Sequence, residues 1–338
     1  MEKTLRWLNL LLILITFLSY LSPFIDPAFL WFFSLLGMGY PWLLLFNMIF
    51  VLIWLFKKHW YCIFSLGCIF VGFNHFQSFI GLNEIQPNEQ AEIKVMTLNC
   101  MGNYRIIGDT KKRFDQFLVE SKPDVILLQE SIPKTRPISK KDYPYIFQPK
   151  KNLGIYSKFP FVNKGSVLKD IKGNRSTGCL YVDLKINQQI IRVYNIHLQS
   201  NKVSQEASKI KEEGNLQKKE TWLDIRTILG KLKRATAKRS EQANTIIQHL
   251  EGSKYPVIAG GDFNDTPLSY TYRLFAEKLN DGFKERASGI GTTYSGTIPV
   301  LRIDYIWTDK DFQVNSHEIL KENFSDHYPV ISRIQLPQ

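Results

Sequence analysis

Charge is nearly absent from the first 82 residues. They hold six of the chain's 74 acidic and basic residues, whereas residues 83–338 hold the other 68. This contrast predicts a membrane segment joined to a polar globular domain. The chain also lacks internal repeats and low-complexity tracts. Its 44% apolar and 22% charged content excludes global disorder and collagen-like structure.

Acidic residues and cysteines are both few in the polar part. Residues 83–338 contain ten more Lys and Arg than Asp and Glu, a balance that suits anionic partners such as nucleic acid, phosphorylated metabolites or anionic lipid. Of the four cysteines, Cys100 and Cys179 fall in this part and could form one bridge in an oxidising compartment. Two buried thiols are the favoured interpretation, because sequence cannot show that the two meet.

Long apolar runs occupy the first part instead. They cover residues 5–21, 28–56 and 60–82, and each is long enough to cross the hydrocarbon core of a bilayer. The second run is interrupted at 37–41, which fits a kinked or tilted helix, or a half-buried piece followed by a span. No A-x-A-like cleavage site follows the first run, so we favour a retained anchor of about three transmembrane helices over residues 1–82.

Four basic residues set the expected orientation of this anchor. Lys3 and Arg6 precede the first run, and Lys57 and Lys58 follow the second, so the positive-inside rule places both pairs in the cytoplasm. A third crossing then exports the domain, after an acidic tether at 83–92. We expect an integral protein of a bacterial inner or plasma membrane, with a cytoplasmic N-terminus and a periplasmic or extracellular domain.

Residues 93–338 are expected to form one domain with an α/β fold, because strands and helices mix without strict βαβ alternation. The stretch 281–296 is rich in Gly, Ser and Thr and is predicted to be a loop. Predicted strands cover 93–99, 125–129, 153–157, 179–186, 190–197, 255–260, 302–307 and 328–336. Predicted helices cover 113–120, one or more segments of 200–250, and a segment beginning at 267.

Acids, amides and histidines stand at the ends of several predicted strands, where sites are built on rigid scaffolds. Alternation puts Asn195 beside His197 on one strand face, and Asp262 beside Asn264 after another strand. Carboxylate and amide oxygens suit a hard cation such as Mg²⁺. His249 and His317 are expected on the surface. The polar residues at strand ends are Asn99, Glu130, Asn195, His197, Asp262, Asn264, Asp304, Asp326 and His327.

The order of these motifs resembles the endonuclease/exonuclease/phosphatase superfamily, of DNase-like and exonuclease III-like proteins, here as a membrane-anchored member. The resemblance covers about residues 93–336 and implies a four-layer α/β sandwich with two central mixed sheets, preceded by the N-terminal transmembrane helices. The motifs that carry it are Leu98-Asn99, Leu128-Gln129-Glu130, Asn195-Ile196-His197-Leu198, Gly261-Asp262-Phe263-Asn264, Arg302-Ile303-Asp304-Tyr305 and Ser325-Asp326-His327.

The resemblance also implies a role for each residue. Glu130, with Asn99 and Asp326, is expected to hold Mg²⁺ or Mn²⁺. Asp262 is expected to orient or deprotonate the attacking water, and the choice between Asp262 and His327 as the base stays open.

The remaining roles concern the phosphate. Asn264, His197 and His327 are expected to bind the phosphate or its developing charge, and Asp304 to orient His327. These roles suit phosphoester hydrolysis by an activated water, without a covalent intermediate.

The substrate stays open at this level. A nuclease-like phosphodiesterase is the first expectation, with a membrane-proximal lipid phosphodiesterase or a small-molecule phosphatase as alternatives. A catalytically silent phosphate-binding membrane protein is the non-enzyme alternative. Expected partners are a phosphoester (nucleic acid, phospholipid headgroup or phosphorylated small molecule) and the lipid bilayer through residues 5–82, with no obligate protein partner. The stretch 200–245 matches no motif and is expected to shape the substrate groove.

Overall fold

A computed structural model describes residues 2–83, 92–103, 105–132, 138–149, 152–168, 177–214, 218–296 and 300–337. The predicted tether at 83–92 lies outside these residues, except for its two ends. The mixture of strands and helices confirms the predicted α/β class.

The eight predicted strands are found within a few residues of their predicted bounds, because continuous apolar runs predict buried strands well. The strands are β1 (Ile80–Leu82), β2 (Ile93–Asn99), β3 (Val125–Ser131), β4 (Tyr145–Phe147), β5 (Asn152–Ser157), β6 (Phe161–Ser166), β7 (Gly178–Ile186), β8 (Gln189–His197), β9 (Val257–Asp262), β10 (Asn280–Asp281), β11 (Ser288–Ile290), β12 (Asp304–Thr308), β13 (Gln313–Ile319) and β14 (Val330–Gln335). The short strands β1, β4, β10 and β11, and also β6 and β13, are not predicted from the sequence.

The helices divide into an N-terminal group and a group that covers the sheets. They are α1 (Glu2–Ser19), α2 (Pro27–Leu30), α3 (Phe32–Met38), α4 (Tyr40–Phe56), α5 (Cys62–Val71), α6 (Phe73–Gln77), α7 (Gly108–Ser121), α8 (Ser204–Glu213), α9 (Lys219–Glu251), α10 (Tyr270–Lys278) and α11 (Gly282–Arg286). The stretch 200–250 thus forms two helices, as its composition predicts.

Two six-stranded mixed sheets form the centre of the domain, as expected. One has the order β10-β12-β9-β8-β7-β6 and the other β13-β14-β2-β3-β5-β4. Only the pairs β8–β9 and β2–β3 are parallel, and the other neighbours are antiparallel. Each parallel pair brings two strand ends to the same edge of its sheet.

Apolar side chains fill the space between the sheets and cover their outer faces. Val125 and Leu127 of one sheet pack with Val182 and Ile306 of the other. Helices α9 and α10 cover the outer face of the first sheet, and α7 covers that of the second through Phe114. Helix, sheet, sheet and helix therefore lie in four layers.

The N-terminal helices bury several polar side chains and expose many apolar ones. Asn9 and Asn47 are fully buried, and large apolar side chains such as Leu11 and Leu52 are exposed. Asn9 donates to Ser65 Oγ at 2.7 Å and accepts from the indole nitrogen of Trp54 at 2.9 Å. These helices are therefore joined by polar as well as apolar contacts, and many apolar side chains are on the outside.

By length and composition, one helical stretch of the described residues, 2–24, could cross a membrane. A second would be the pair α3 and α4 if they form one span, although they meet at 55°. This bend falls at the predicted interruption, 37–41. The third apolar run does not give one long helix, because α5 has ten residues and a break follows it at Gly72.

The N-terminal helices pack directly on the domain. A Cβ on Gly37 would lie 2.0 Å from the carbonyl oxygen of Leu268, so only glycine allows this close approach. Asp26 accepts a hydrogen bond from Ser240 Oγ of α9 at 2.7 Å. Strand β1 pairs with β11 of the domain. The change in composition near residue 82 therefore does not separate two independently packed units.

Two sequence predictions are wrong. The stretch 281–296, predicted to be a loop, contains α11 and β11, because tertiary pairing with β1 orders a segment whose composition favours turns. His317, expected on the surface, is buried, and its Nδ1 lies 2.8 Å from Ser332 Oγ of the paired strand. The interpretation of Cys100 and Cys179 as buried free thiols is confirmed.

Candidate active site

Neighbouring strand ends gather the predicted residues at one edge of the sandwich. In the first sheet, Asp262 at the end of β9 stands opposite His197 of β8 on one side and Asp304 of β12 on the other. In the second sheet, Asn99 ends β2 beside the end of β3. Strand register, which follows from the apolar pattern, thus positions these side chains.

Asp262 is at the centre of the contacts. Its carboxylate accepts hydrogen bonds from Asn99 Nδ2 at 2.9 Å and from the backbone and side-chain nitrogens of Asn264 at 2.8 and 3.1 Å. The preceding Gly261 has φ +145°, and a Cβ there would lie 1.9 Å from Ile196 O. Only glycine lets the chain turn here, so Gly261 fixes where Asp262 is presented.

Glu130 reaches the same place through a bulge in β3. The pairing with β5 shifts between Gln129 and Ser131, and Glu130 itself has φ +48°. A left-handed backbone at a non-glycine residue costs free energy and is found most often at functional sites. The bulge leaves Glu130 unpaired, and its carboxylate lies 3.5 Å from Asn99 Nδ2 and 3.7 Å from His197 Nε2.

His327 and Asp304 form a buried pair. The ring Nδ1 lies 2.9 and 3.1 Å from the two carboxylate oxygens of Asp304. Burial lowers the pKa of His327, but the charges of Asp304 and Asp262 outweigh burial and raise it to about 10. The neighbouring carboxylates therefore favour the charged form of the imidazole. Its Nε2 lies 3.9 Å from Asp262 Oδ2.

His197 is fully buried beside two carboxylates. Its Nε2 lies 3.5 Å from Asp262 Oδ2 and 3.7 Å from Glu130 Oε1. Within the described part of the chain, neither ring nitrogen has a hydrogen-bond partner. A buried imidazole with unused hydrogen-bonding capacity is costly unless something else binds it.

One cleft of about 220 Å³ joins these groups. All eight predicted site residues belong to this cluster, since His197 and Asp304 contact members of it. The six that line the cleft are Asn99, Glu130, Asp262, Asn264, Asp326 and His327. A larger cavity of about 470 Å³ lies beside α7, but no predicted site residue lines it.

The donor atoms fit a hard divalent cation. Glu130, Asn99 and Asp326 supply carboxylate and amide oxygens to the cleft, as Mg²⁺ and Mn²⁺ prefer. Asp262, Asp304 and His327 also offer atoms within 4.8 Å of one another. Of this second set, Asp304 and His327 already bind each other.

Some residues that line the cleft are not predicted by any sequence motif. Met38 of the N-terminal helices lines it, as does Tyr294, whose ring lies edge-on to His327 at 5.1 Å. Neither carries a sequence signal, since both arrive by tertiary packing. Residues 200–232 also contribute, as expected for a groove-shaping segment. Asn195, by contrast, bridges the two sheets by donating to the carbonyls of Leu128 and Gly154.

Residues 96–327 match the endonuclease/exonuclease/phosphatase family, and the chain therefore belongs to it. It is an enzyme that hydrolyses phosphoric ester bonds. Residues 2–79 match a domain of unknown function (DUF8431). No curated protein sequence matches the chain.

Solved structures with the same fold include three that this chain resembles over 72% of its length. The mannosyl-6-phosphatase Bt3783 of Bacteroides thetaiotaomicron is 16% identical, is covered completely and has a TM-score of 0.50. A humanized D. rerio TDP2 is 15% identical, with 99% coverage and a TM-score of 0.53. D. rerio TDP2 with a single-strand DNA product is 15% identical, with 99% coverage and a TM-score of 0.51. Identities this low establish the fold alone.

Proposed function

We propose that this enzyme is a divalent-metal-dependent phosphodiesterase of nuclease-like chemistry, which uses an activated water. The proposal rests on the contacts of the Asp262 carboxylate. This one carboxylate lies against Asn99, Asn264, His197 and His327 at the bottom of a single cleft.

The hydrogen bonds to Asp262 support a role for its carboxylate as the base. Three N–H groups hold its carboxylate in one orientation, so it is ready to orient a water and take its proton. His327 is held by Asp304 through Nδ1, which leaves Nε2 for a phosphoryl oxygen. We therefore assign proton acceptance to Asp262 and phosphate binding to His327.

Asn264 and His197 complete the phosphate site. The side-chain amide of Asn264 lies 3.1 Å from Asp262 and 3.2 Å from the carbonyl oxygen of Leu198, so its position is fixed before substrate binds. Donors fixed in advance stabilise charge that grows on phosphoryl oxygens. Glu130, Asn99 and Asp326 would hold the Mg²⁺ or Mn²⁺ ion. When bound there, the ion neutralises charge on the phosphate.

The test is hydrolysis of bis(4-nitrophenyl) phosphate by the purified full chain with Mg²⁺ or Mn²⁺. We expect Asp262→Asn to lower kcat by about 10²- to 10⁴-fold, because a neutral amide cannot accept the proton. Asp109→Asn is the matched control, since that carboxylate is exposed on α7. Equal activity of both variants would refute the role of Asp262, and an inactive wild type with either ion would refute the hydrolase.

A phosphatase of small phosphorylated compounds is the second candidate. A 220 Å³ cleft admits a small ester, and one structural relative is named as a mannosyl-6-phosphatase. Hydrolysis of 4-nitrophenyl phosphate alongside the diester separates the two, because a diesterase leaves the monoester intact.

We further propose that residues 1–82 hold the enzyme in a membrane through α1, α4 and α5. Buried polar contacts inside and exposed apolar side chains outside are typical of helices packed in lipid. Arg6 Nη2 lies 3.1 Å from His59 Nε2, so Lys3 and Arg6 share one end of these helices with Lys57 and Lys58.

The domain packs at the other end, where α2 and α3 lie. The positive-inside rule then puts the N-terminus in the cytoplasm and the domain in the periplasm or outside the cell. A reporter that is active only after export, fused at Gln338, is expected to be active. Activity only of a cytoplasmic reporter would overturn this orientation.

A further inference from the structure

The cleft is lined by two chemically different kinds of side chain. One kind is the polar residues described above. The other is apolar, and its members Met38, Val203, Ala207, Ile228 and Leu232 are called the apolar wall below. Hydrolysis of the phosphoester needs only the polar residues of the cleft. The apolar wall therefore serves another purpose.

The wall is held in place by fixed contacts. Lys231 Nζ lies 2.5 Å from Glu206 Oε1, which ties α9 to α8. Arg239 is fully buried, and its Nε lies 3.2 Å from Asp265 Oδ2 in the loop after β9. Helix α9 is therefore anchored to the segment that carries Asp262 and Asn264. These contacts therefore join the wall to the phosphate site.

The wall also adjoins the N-terminal helices. Met38 ends α3, next to Gly37, which touches the domain. Phe29 of α2 is 84% exposed, and α2 packs against α9. Trp222 (56% exposed) and Leu223 (51% exposed) stand at the start of α9, before the wall residues. Exposed apolar side chains thus occur on the N-terminal helices and on the helix that carries Ile228 and Leu232.

The cleft is poorly suited to a polyanion or a sugar. Among the described residues that line it, Lys202 is the only Lys or Arg, whereas nucleic-acid grooves follow the phosphate chain with several. The apolar wall itself offers no partners for sugar hydroxyls, and burying such groups unpaired against it is costly.

We propose that the substrate is an amphiphilic phosphoester, in which one apolar chain lies along Met38 and Ile228 while the phosphate binds at Asp262 and His327. The substrate reaches the cleft from the bilayer leaflet on the side of the domain. This inference rests on the proposed function and specifies the substrate class of the same site.

The test is a series of methyl, butyl and hexyl 4-nitrophenyl phosphodiesters, hydrolysed by the full chain at constant detergent concentration. We expect kcat/KM to rise with chain length, by up to about fourfold for each methylene that enters the cleft. Met38→Gln roughly keeps side-chain size and adds polar atoms, and Ile228→Thr keeps the β-branch, removes one carbon and adds a hydroxyl. Each should lower the hexyl-to-methyl ratio of kcat/KM by at least about threefold.

Val162→Thr is the matched control, because Val162 is exposed on β6 and does not line the cleft. It should leave the ratio unchanged. A flat chain-length series, or a ratio that neither cleft variant changes, would overturn the amphiphile while the hydrolase stands. Faster cleavage of a single-stranded oligonucleotide than of the hexyl ester would also overturn it. If the methyl ester is not hydrolysed at all, the proposed function fails first.

Discussion

The two regions of this chain differ in which side chains they expose. The domain fills its interior with apolar side chains such as Val125 and Ile306, whereas the N-terminal helices bury Asn9 and Asn47 and leave Leu52 exposed. Removing apolar surface from water drives folding only where water is the solvent. The domain therefore follows the rule for water, whereas the exposed apolar side chains of the helices fit the lipid environment proposed above, in which polar contacts and close packing hold helices together.

The largest effect on stability is expected from the buried ion pair of the domain. Arg302 Nη1 and Nη2 lie 3.0 and 2.5 Å from the two oxygens of Asp281, and both side chains are buried. Arg302→Met leaves a buried carboxylate without its partner, which should cost about 3–5 kcal/mol in urea unfolding. Arg113→Met, which breaks the exposed pair with Glu322, should cost under about 1 kcal/mol. Similar losses would contradict this contrast.

The same pair predicts a pH dependence. Burial raises the pKa of Asp281, but the charge and hydrogen bonds of Arg302 outweigh burial and hold the pKa below its usual value. The pair's stabilisation is therefore fully present above the unfolded-state pKa of about 4 and is lost as pH falls through the folded-state value. The Tm of the wild type should fall more steeply on acidification than that of Arg302→Met. Parallel curves would contradict the assignment.

A comparison of buried asparagines tests the two solvents directly. Asn195→Leu removes the donors to Leu128 and Gly154 between the sheets and should cost about 3 kcal/mol. Asn9→Leu removes its contacts with Ser65 and Trp54 but should cost only about 1 kcal/mol, as is usual inside membrane bundles. Thermal unfolding of the full chain in detergent measures both. The reverse order would refute the proposed lipid environment.

The smallest effect is expected where the regions meet. Ser240→Ala removes the hydrogen bond to Asp26 at the start of α2, worth about 1 kcal/mol, and should speed amide exchange in α2 by up to about fivefold. Ser166→Ala, at an exposed site on β6, is the control and should leave exchange in α2 unchanged. No change with Ser240→Ala would mean that this bond does not join the regions.

The sequence predicts those parts of the fold that depend on local pattern. Apolar runs predict β2, β3 and β9, and Asn99 and Asp262 follow because they directly terminate such runs. Motif order places all eight site residues in one cluster.

Features that depend on distant contacts were missed. Met38 reaches the cleft because the N-terminal helices pack on the domain. His317 is buried because its strand pairs with β14. The bulge at Glu130 is visible only in the pairing of β3 with β5. A sequence in which an acidic residue follows a buried run is the same whether or not the strand contains a bulge.

The pairing of β1 with β11 has a practical consequence for anyone who wishes to study the catalytic part alone. A fragment that begins at the change in composition, after Leu82, lacks all of β1, and so does one that begins at Ile93. In either case Leu268, which packs against Tyr40 and Phe79, is uncovered. Such a fragment exposes an apolar surface and an unpaired strand edge, and both favour aggregation. Purification of the whole polypeptide in detergent is therefore the better starting point for crystallisation.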